Sequence, residues 1–485
     1  MKKNYLTIGA LLFLLLGCNA NSSSNNSNQN IIDGDFFVKE DVTIEFLCLT
    51  DNHYKSSLER MISEFEALEP HVKVNLTNPS AAGNYSVLEK TVIAGFFKED
   101  YPDIVQCYPD NVVKYIDRNK AINLDPYLSN EQYGLKEEKD DYIDTFLKEG
   151  THYAVEGTYS LPFCKSTELL YYNADVLLDN LVLPGVNNGE ALDENYFNNL
   201  TWEEMFNVLC PALKAYNEAN KVGDVYPLYD MGEGCGIFTY DSDENFFITL
   251  ANQYEYGYTS VDSNGKGSID FDNDGMKNLM KMLKTAKDNG YLQTRGSYGD
   301  YVSNLFTSDK SLFTVSSTAS LSYNYSEDNP FKIGVSKLPK AEGKEYSSIN
   351  QGPSVCLLDH NDDNRALASF LFWKYITNEK NSSLWAVNTG YMGIRDSSYT
   401  SPEYIAALEV EDDSKLYDKA VSDNLKMIKE VSNTTFNTPV FRGSSNARTN
   451  VGILLRDCLK ATDLDASIDE LFKNASDDAK KYLGE

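Results

Sequence analysis

The sequence predicts an α/β protein with parallel strands, on three observations. "VTIEFLCL" (42–49) alternates apolar and polar residues and is rich in β-prone types, the pattern of a strand. Leu58, Met61, Ile62, Phe65 and Leu68 then recur at helical spacing and put one apolar stripe on a helix. "VKVNLT" (72–77) reads as a second strand, residues 84–97 as a second helix, and "DIVQC" (103–107) as a buried third strand. Strand, helix, strand, helix, strand is the order of an α/β layer fold.

A polar segment with helical turns runs on to about residue 150, and long helices with interspersed strands follow. "LTWEEM" (200–205) opens a helix that Thr201 can cap, with Glu204 three residues on as the capping-box partner. Met276, Leu279, Met280, Leu283 and Ala286 mark another helix face, as do Leu367, Phe370 and Leu371, and Val451, Leu454, Leu455 and Cys458. Short strands are expected at 311–315, 331–335 and 354–358. There is no internal repeat, and the C-terminal third is mostly helical. At 485 residues the chain is expected to divide into two or more domains.

The N-terminus reads as a targeting segment. Lys2 and Lys3 precede an apolar run, Leu6 to Leu16, of signal-peptide length and too short to span a bilayer. The run ends in Leu15-Leu16-Gly17-Cys18, which matches the bacterial lipobox and makes Cys18 the expected lipidation site after removal of residues 1–17. Residues 18–40, with "NANSSSNNSNQN" at 19–30, read as a flexible tether. A plain secretory signal with a cysteine there by chance is the alternative. Cleavage deletes two lysines and moves the formal charge from −30 to −32. That balance repels nucleic acid and anionic headgroups.

Motifs for chemistry are sparse. Seven further cysteines (48, 107, 164, 210, 235, 356, 458) are scattered, odd in number and never spaced C-x-x-C, so they read as small buried apolar residues, with room for one incidental bridge. The histidines (53, 71, 152, 360) do not form a zincin motif, and G-x-S-x-G and P-loop motifs are missing. "GEGCG" (232–236) lacks the third glycine and helix context of a dinucleotide loop. "DSNGKGSIDFDN" (262–273) resembles a calcium loop from Asp262, but Lys266 replaces an oxygen ligand and Asn273 a bidentate glutamate. A hairpin turn explains it more simply. No cofactor or metal is expected.

Aromatic residues are more telling. The chain has 33 Tyr and 23 Phe but only 3 Trp, and many sit in loops beside Asn, Asp or Gly, as in 81–85, 107–111, 389–395 and 438–443. Rings with apolar faces and polar rims, beside carboxylates and amides, suit a ligand with paired hydroxyls. In open α/β sheets such a ligand binds at the strand ends. "LPFCKSTELLYYNAD" (161–175) poses a separate question: why would a buried strand carry the polar notch Lys165, Ser166 and Thr167?

These features, in the order "PDIVQCYPDN" (102–111), "LPFCKSTELLYYNAD", "LTWEEM", "INQGPSV" (349–355) and "WAVNTGYMGIRDS" (385–397), resemble the extracellular solute-binding proteins of ABC importers, the group of maltodextrin- and glycerol-3-phosphate-binding proteins. The resemblance covers roughly residues 40–480 and implies a two-lobed periplasmic-binding-protein fold of type II with the ligand in the cleft. It implies lobe 1 at 41–167 and 334–356, and lobe 2 at 168–333 and 357–485. The notch would then be the first crossing between lobes, with Ser166 and Thr167 at an exposed hinge facing ligand; the alternative is a polar kink on an edge strand. Asp51 and Asn52 match a ligand-contacting turn, and Asp110 an aspartate that accepts sugar hydroxyls. Asp243 and Asn245 match a second-lobe contact, and Gly390, Tyr391 and Arg442 match ligand contacts of the glycerol-3-phosphate group. Tyr85, Gln351 and Gly352 complete the expected set. The chain departs from the sugar-binding group at Cys107, where a stacking Trp is usual, and from the phosphate-binding group at Pro109, where an acid is usual.

The function implied is capture of a carbohydrate, delivered to the permease subunits of an ABC transporter by a monomer lipid-anchored on the extracytoplasmic face of a bacterial membrane. No catalytic residue is expected. Glycerol 3-phosphate or a glycerophosphodiester is the alternative cargo, and a surface glycosidase using a carboxylate pair the alternative of another class. Carbohydrate is favoured because a phosphate wants converging cations, and Arg442 is the one cleft arginine the sequence suggests.

Overall fold

A computed structural model describes residues 36–50, 55–78, 85–232, 234–410, 412 and 414–483. The leader, Cys18, most of the tether, and Asp51 and Asn52 lie outside the described residues. In chain order the strands are β1 (Val42–Leu47), β2 (Val72–Thr77), β3 (Ile104–Cys107), β4 (Leu161–Pro162), β5 (Glu168–Asn173), β6 (Phe238–Tyr240), β7 (Thr259–Val261), β8 (Gly267–Ile269), β9 (Leu292–Thr294), β10 (Phe313–Ser317), β11 (Ile333–Ser336), β12 (Ser348–Ile349), β13 (Ser354–Leu357) and β14 (Thr435–Phe436).

They form two five-stranded sheets, ordered β2-β1-β3-β13-β4 and β11-β5-β10-β6-β9. β1 pairs parallel with both β2 and β3, as the opening pattern predicts, and β13 adds antiparallel to β3. One face of the first sheet carries Ile44 and Phe46 against the helix Lys55–Leu68, whose Leu58, Met61, Ile62 and Phe65 are buried; Leu68, at the last turn, is exposed. The other face packs Val105 and Cys107 under Leu88, Val92 and Phe96 of the helix Tyr85–Phe96. In the second sheet every residue of β5 is buried. Alternate side chains divide it: Leu170 and Tyr172 join one core, Leu169 and Tyr171 the other.

Sheet membership departs from the expected lobe boundaries in two places. β11, at the start of the 334–356 segment, pairs with β5 in the second sheet. The helices Asp363–Ile376 and Glu379–Thr389 belong with the first sheet, where Phe372 meets Phe46 at 5.7 Å and Phe65 at 5.3 Å. Local periodicity shows a helix or strand but not the sheet it joins, since that pairing is long-range.

The polar notch is where the chain passes from one sheet to the other. Leu161 and Phe163 are buried in the first core, and Pro162 sits on the sheet's edge strand, where its missing N–H is tolerated. Ser166 then bridges to Gln351 through two backbone hydrogen bonds of 2.9 Å, so two crossing segments run side by side. Lys165 is fully buried and pairs with Glu149, and its ammonium also donates to the Gly352 carbonyl at 3.3 Å. Thr167 is buried too, donating to the Ile349 carbonyl at 2.8 Å. The notch is polar because it neutralises and hydrogen-bonds the crossing from inside, and neither Ser166 nor Thr167 is exposed as expected.

Removing one member of a buried ion pair leaves an uncompensated charge. Lys165→Ala should therefore lower unfolding free energy by about 3–5 kcal/mol, and the double variant Lys165→Met/Glu149→Gln should regain most of it. Urea denaturation measures both; a single variant as stable as the parent would remove the pair from this role.

Candidate functional site

A cleft of about 1040 Å³ opens where the crossing segments meet the ends of both sheets. From the first sheet, β3 delivers Tyr108 and Asp110 at its carboxyl end, with Pro109 as the first residue of the helix Pro109–Ile116. The fixed φ of proline suits that position and sets the direction in which Asp110 enters. Tyr85 meets Tyr108 edge-on, with ring centroids 4.7 Å apart. The crossing segments contribute Ser166, Glu168, Gln351 and Gly352. Gly352 has φ +84°, and a Cβ there would lie 2.0 Å from the Cys164 carbonyl oxygen, so the two segments approach this closely only over a glycine.

The second sheet supplies the N-terminus of the helix Asp243–Gln253, capped by Ser242, whose Oγ accepts from the Asn245 N–H at 3.2 Å. Asp243 lines the cleft with its carboxylate engaged: Oδ1 takes Thr294 Oγ1 at 2.6 Å and Oδ2 the Gly296 N–H at 2.7 Å. Asn245 is a junction. Its Nδ2 donates to Glu168 Oε1 at 2.7 Å and to Gln351 Oε1 at 2.6 Å, while its Oδ1 accepts from Arg448. Both amide hydrogens are thereby spent on protein partners. Arg448 rises from the helix Ser444–Lys460, which Gly443 opens with φ +99°.

Opposite charges face each other across this space. Burial pushes the Asp110 carboxyl up, opposed by the Ser444 hydroxyl, which donates to Oδ1 at 2.5 Å, and by Arg448. Burial works against the Arg448 charge, but Glu244, Tyr258 and Asp110 outweigh it and raise its pKa. Glu168 is 2 % exposed, and burial lifts its carboxyl to about 7 despite hydrogen bonds from Tyr240 and Asn245. Burial also takes Asp241 to about 6, with Arg295 pulling the other way.

The cleft gathers Tyr85, Asp110, Ser166, Asp243, Asn245, Gln351, Gly352 and Tyr391 from the expected set. Thr167 sits behind the wall. Gly390 ends the helix Glu379–Thr389 with φ +73°, close under the Thr318 carbonyl, and is a packing position. Arg442 points away: its side chain is 66 % exposed and 3.8 Å from Asp117. Sequence reasoning missed Tyr108, Glu168, Arg295, Tyr323 and Arg448. Arg448 had a signal, for it continues the stripe of Val451, Leu455 and Cys458 three residues N-terminally, and a charge on a buried stripe has to meet a partner or a cleft. The hairpin expected near Asp262 is present as β7 and β8, with Asp262 Oδ1 accepting the N–H groups of Asn264 and Lys266 at 2.9 Å each. The seven cysteines are free thiols, all buried except the half-buried Cys235.

A family model described as bacterial extracellular solute-binding protein matches residues 60–412. No curated protein matches the sequence. Among solved structures, the chain is similar to UgpB from Mycobacterium tuberculosis in complex with glycerophosphocholine, at 15% identity and TM-score 0.69 over 91% of this chain and 98% of that one. It is similar to the GacH receptor of Streptomyces glaucescens, solved unliganded and with acarbose, at 16% identity and TM-score 0.66 over 91% and 98%. It is also similar to the MalE domain from Bdellovibrio bacteriovorus bound to maltotriose, at 14% identity and TM-score 0.64 over 92% and 100%. At these identities the likeness carries the fold, a two-lobed one with the two sheets as the lobes' centres.

Glu168 makes stability depend on pH. Its folded pKa of about 7 lies above the ordinary glutamate value near 4.5, so the folded chain holds this proton more tightly than the unfolded one. The resulting stabilisation is complete below about pH 4.5 and is lost as pH rises through 7, on the order of 3 kcal/mol in all. Glu168→Gln should flatten this decline and melt higher than the parent at pH 8. Melting curves at pH 5, 6.5 and 8 check it, and a parent whose decline the substitution leaves unchanged contradicts the assignment.

Proposed function

We propose a carbohydrate cargo, a mono- or oligosaccharide, for this chain, which belongs to the bacterial extracellular solute-binding protein family. The observation that carries this reading is the lining of the cleft. Tyr85, Tyr108, Tyr323 and Tyr391 offer ring faces, and carboxylates and amides from both lobes alternate with them around a volume suited to a small polyol. Tyr108 supports the reading at the point where the sequence departs from the sugar-binding group: Cys107 is buried in β3, and its neighbour brings the ring.

A phosphodiester cargo is the second reading, and one observation favours it. Arg295, Arg448 and Arg456 all line the cleft, where the sequence suggested a single arginine at 442. Carboxylates offset them, with Glu89, Asp110, Glu168, Asp241, Asp243 and Glu244 lining the same space. A phosphate would meet those anions at close range, whereas neutral hydroxyls can bond to both signs. The relatives bound to acarbose and maltotriose support the first reading and the one bound to glycerophosphocholine the second.

The cargo is held and passed unchanged to the permease subunits of an ABC importer by a monomer, and no bond is broken. The match to an extracellular family supports an extracytoplasmic place, and the lipobox supports anchoring through Cys18. Cys18→Ala should move the protein from the membrane fraction to the soluble extracellular fraction with cargo affinity intact. Its retention on salt-washed membranes would contradict the anchor.

Titration calorimetry separates the cargoes. Asp110→Ala removes a charge-assisted acceptor of about 1.5–3 kcal/mol and should weaken maltotriose ten- to a hundredfold. Arg448→Ala should weaken maltotriose moderately and abolish glycerophosphocholine binding, since a buried phosphate loses its partner. Arg442→Ala should change neither. Glycerophosphocholine bound tightly, and more tightly still by Asp110→Ala, would replace the carbohydrate reading with the phosphodiester one.

A further inference from the structure

Behind the cleft floor lies a second, much smaller cavity of about 20 Å³. Its wall draws on both lobes: Tyr108 and Asp110 follow β3, Glu149 lies under the crossing, and Thr438, Val440 and Arg448 lead into and along the helix on the second sheet. Asn350, on the second crossing segment, completes it and is 6 % exposed.

The amide of Asn350 is oriented by its neighbours. Asn437 donates its Nδ2 to the Thr145 carbonyl at 3.0 Å, which turns its Oδ1 toward Asn350. Asn350 Nδ2 then donates to that oxygen at 2.5 Å and to Glu149 Oε1 at 3.3 Å. The amide oxygen is left as a buried acceptor without a partner. An unmatched buried acceptor costs about 1–3 kcal/mol, so a donor belongs beside it.

The charges around the cavity say which donor. An anion would face Glu149 and Asp110, and a cation would face Arg448 and the Lys165 ammonium that already holds Glu149. An apolar group would leave the oxygen unmatched. A neutral O–H group both donates to Asn350 and accepts from a cation, and the volume holds one oxygen and no second. We propose that this cavity is a single O–H site, filled by one water or by one hydroxyl of the cargo, which joins both lobes and the crossing segment when the cleft is closed.

The inference rests on the solute-binding reading for its hydroxyl arm only; the water arm is read on the protein alone. Crystals of the ligand-free protein and of the protein soaked with maltotriose are the first measurement. An ordered oxygen within hydrogen-bond distance of Asn350 Oδ1 is expected, either a water in both crystals or a sugar oxygen in the second. Val440→Ile, which adds one methylene to the cavity wall, is the second. It should displace that oxygen, lower the melting temperature by roughly 1–3 °C, and weaken maltotriose about tenfold. If the chain does not bind maltotriose, the ordered water and the lowered melting temperature still carry the proposal while the cargo reading falls. A cavity without ordered oxygen, together with a Val440→Ile protein that melts higher than the parent, overturns it, because filling a dry void stabilises.

Discussion

An ammonium group shut away from water has to be neutralised where it lies, and Lys165 finds that partner in Glu149. The carboxylate is itself held on every side, by Ser354 Oγ at 3.2 Å on one oxygen and Asn350 Nδ2 at 3.3 Å on the other. Lys165 and Asn350 stand on different crossing segments, so a single ion pair fastens these two passages between the lobes to the first lobe. The desolvation penalty of such a pair is recovered only when its remaining valences are filled. Here both carboxylate oxygens are met and the ammonium finds two acceptors, and the crossing can stay polar in the middle of two apolar cores.

From that fixed point the geometry of the cleft follows. Ser166 is locked to Gln351 by the backbone, Gln351 receives Asn245, and Asn245 orients both Glu168 and Arg448. The chain of contacts runs from the crossing outward, and each amide or carboxylate is aimed by the one before it. Asn245 thus contributes through what it aims, having already committed both of its N–H groups. The ring-bearing positions differ in this respect: Tyr85 and Tyr108 meet edge-on and steady each other within one lobe.

How much of this was legible depended on the range of the interaction. β1 to β3 and their helices announced themselves through periodicity, because burial on a strand or helix face is a local pattern; 72–77 was placed to the residue. Thr201 capping the helix at Glu204 was legible for the same reason. The partnership of β11 with β5 was not, since nothing within 333–336 encodes which strand it will meet 160 residues away. In the site, Asp110 and Asp243 in the first turns of helices are among the expected residues, while Glu168, Arg295 and Arg448 are not. Glu168 begins a strand and Arg448 sits within a helix, and both are recognised as cleft residues only when the topology brings their ends together. Arg442 is singled out by the resemblance to the glycerol-3-phosphate group, yet it stands where its side chain faces solvent and holds its charge at no cost.

The position of Asp110 joins closure to binding. Its Oδ1 accepts from Ser444, which stands at the start of a helix of the opposite lobe, and on the proposed carbohydrate reading its Oδ2 would take a hydroxyl of the cargo. A carboxylate with one oxygen on each task ties them together energetically. Ser444 reduces the charge that a buried Asp110 must bear, and a cargo hydroxyl reduces it further, so each contact makes the buried carboxylate less costly for the other. A ligand shifts an equilibrium only by what it binds better in one state. On the carbohydrate reading, an open cleft would leave Asp110 to water where this one gives it Ser444, so the contact between this side chain and the helix start that meets it is one that would favour closure.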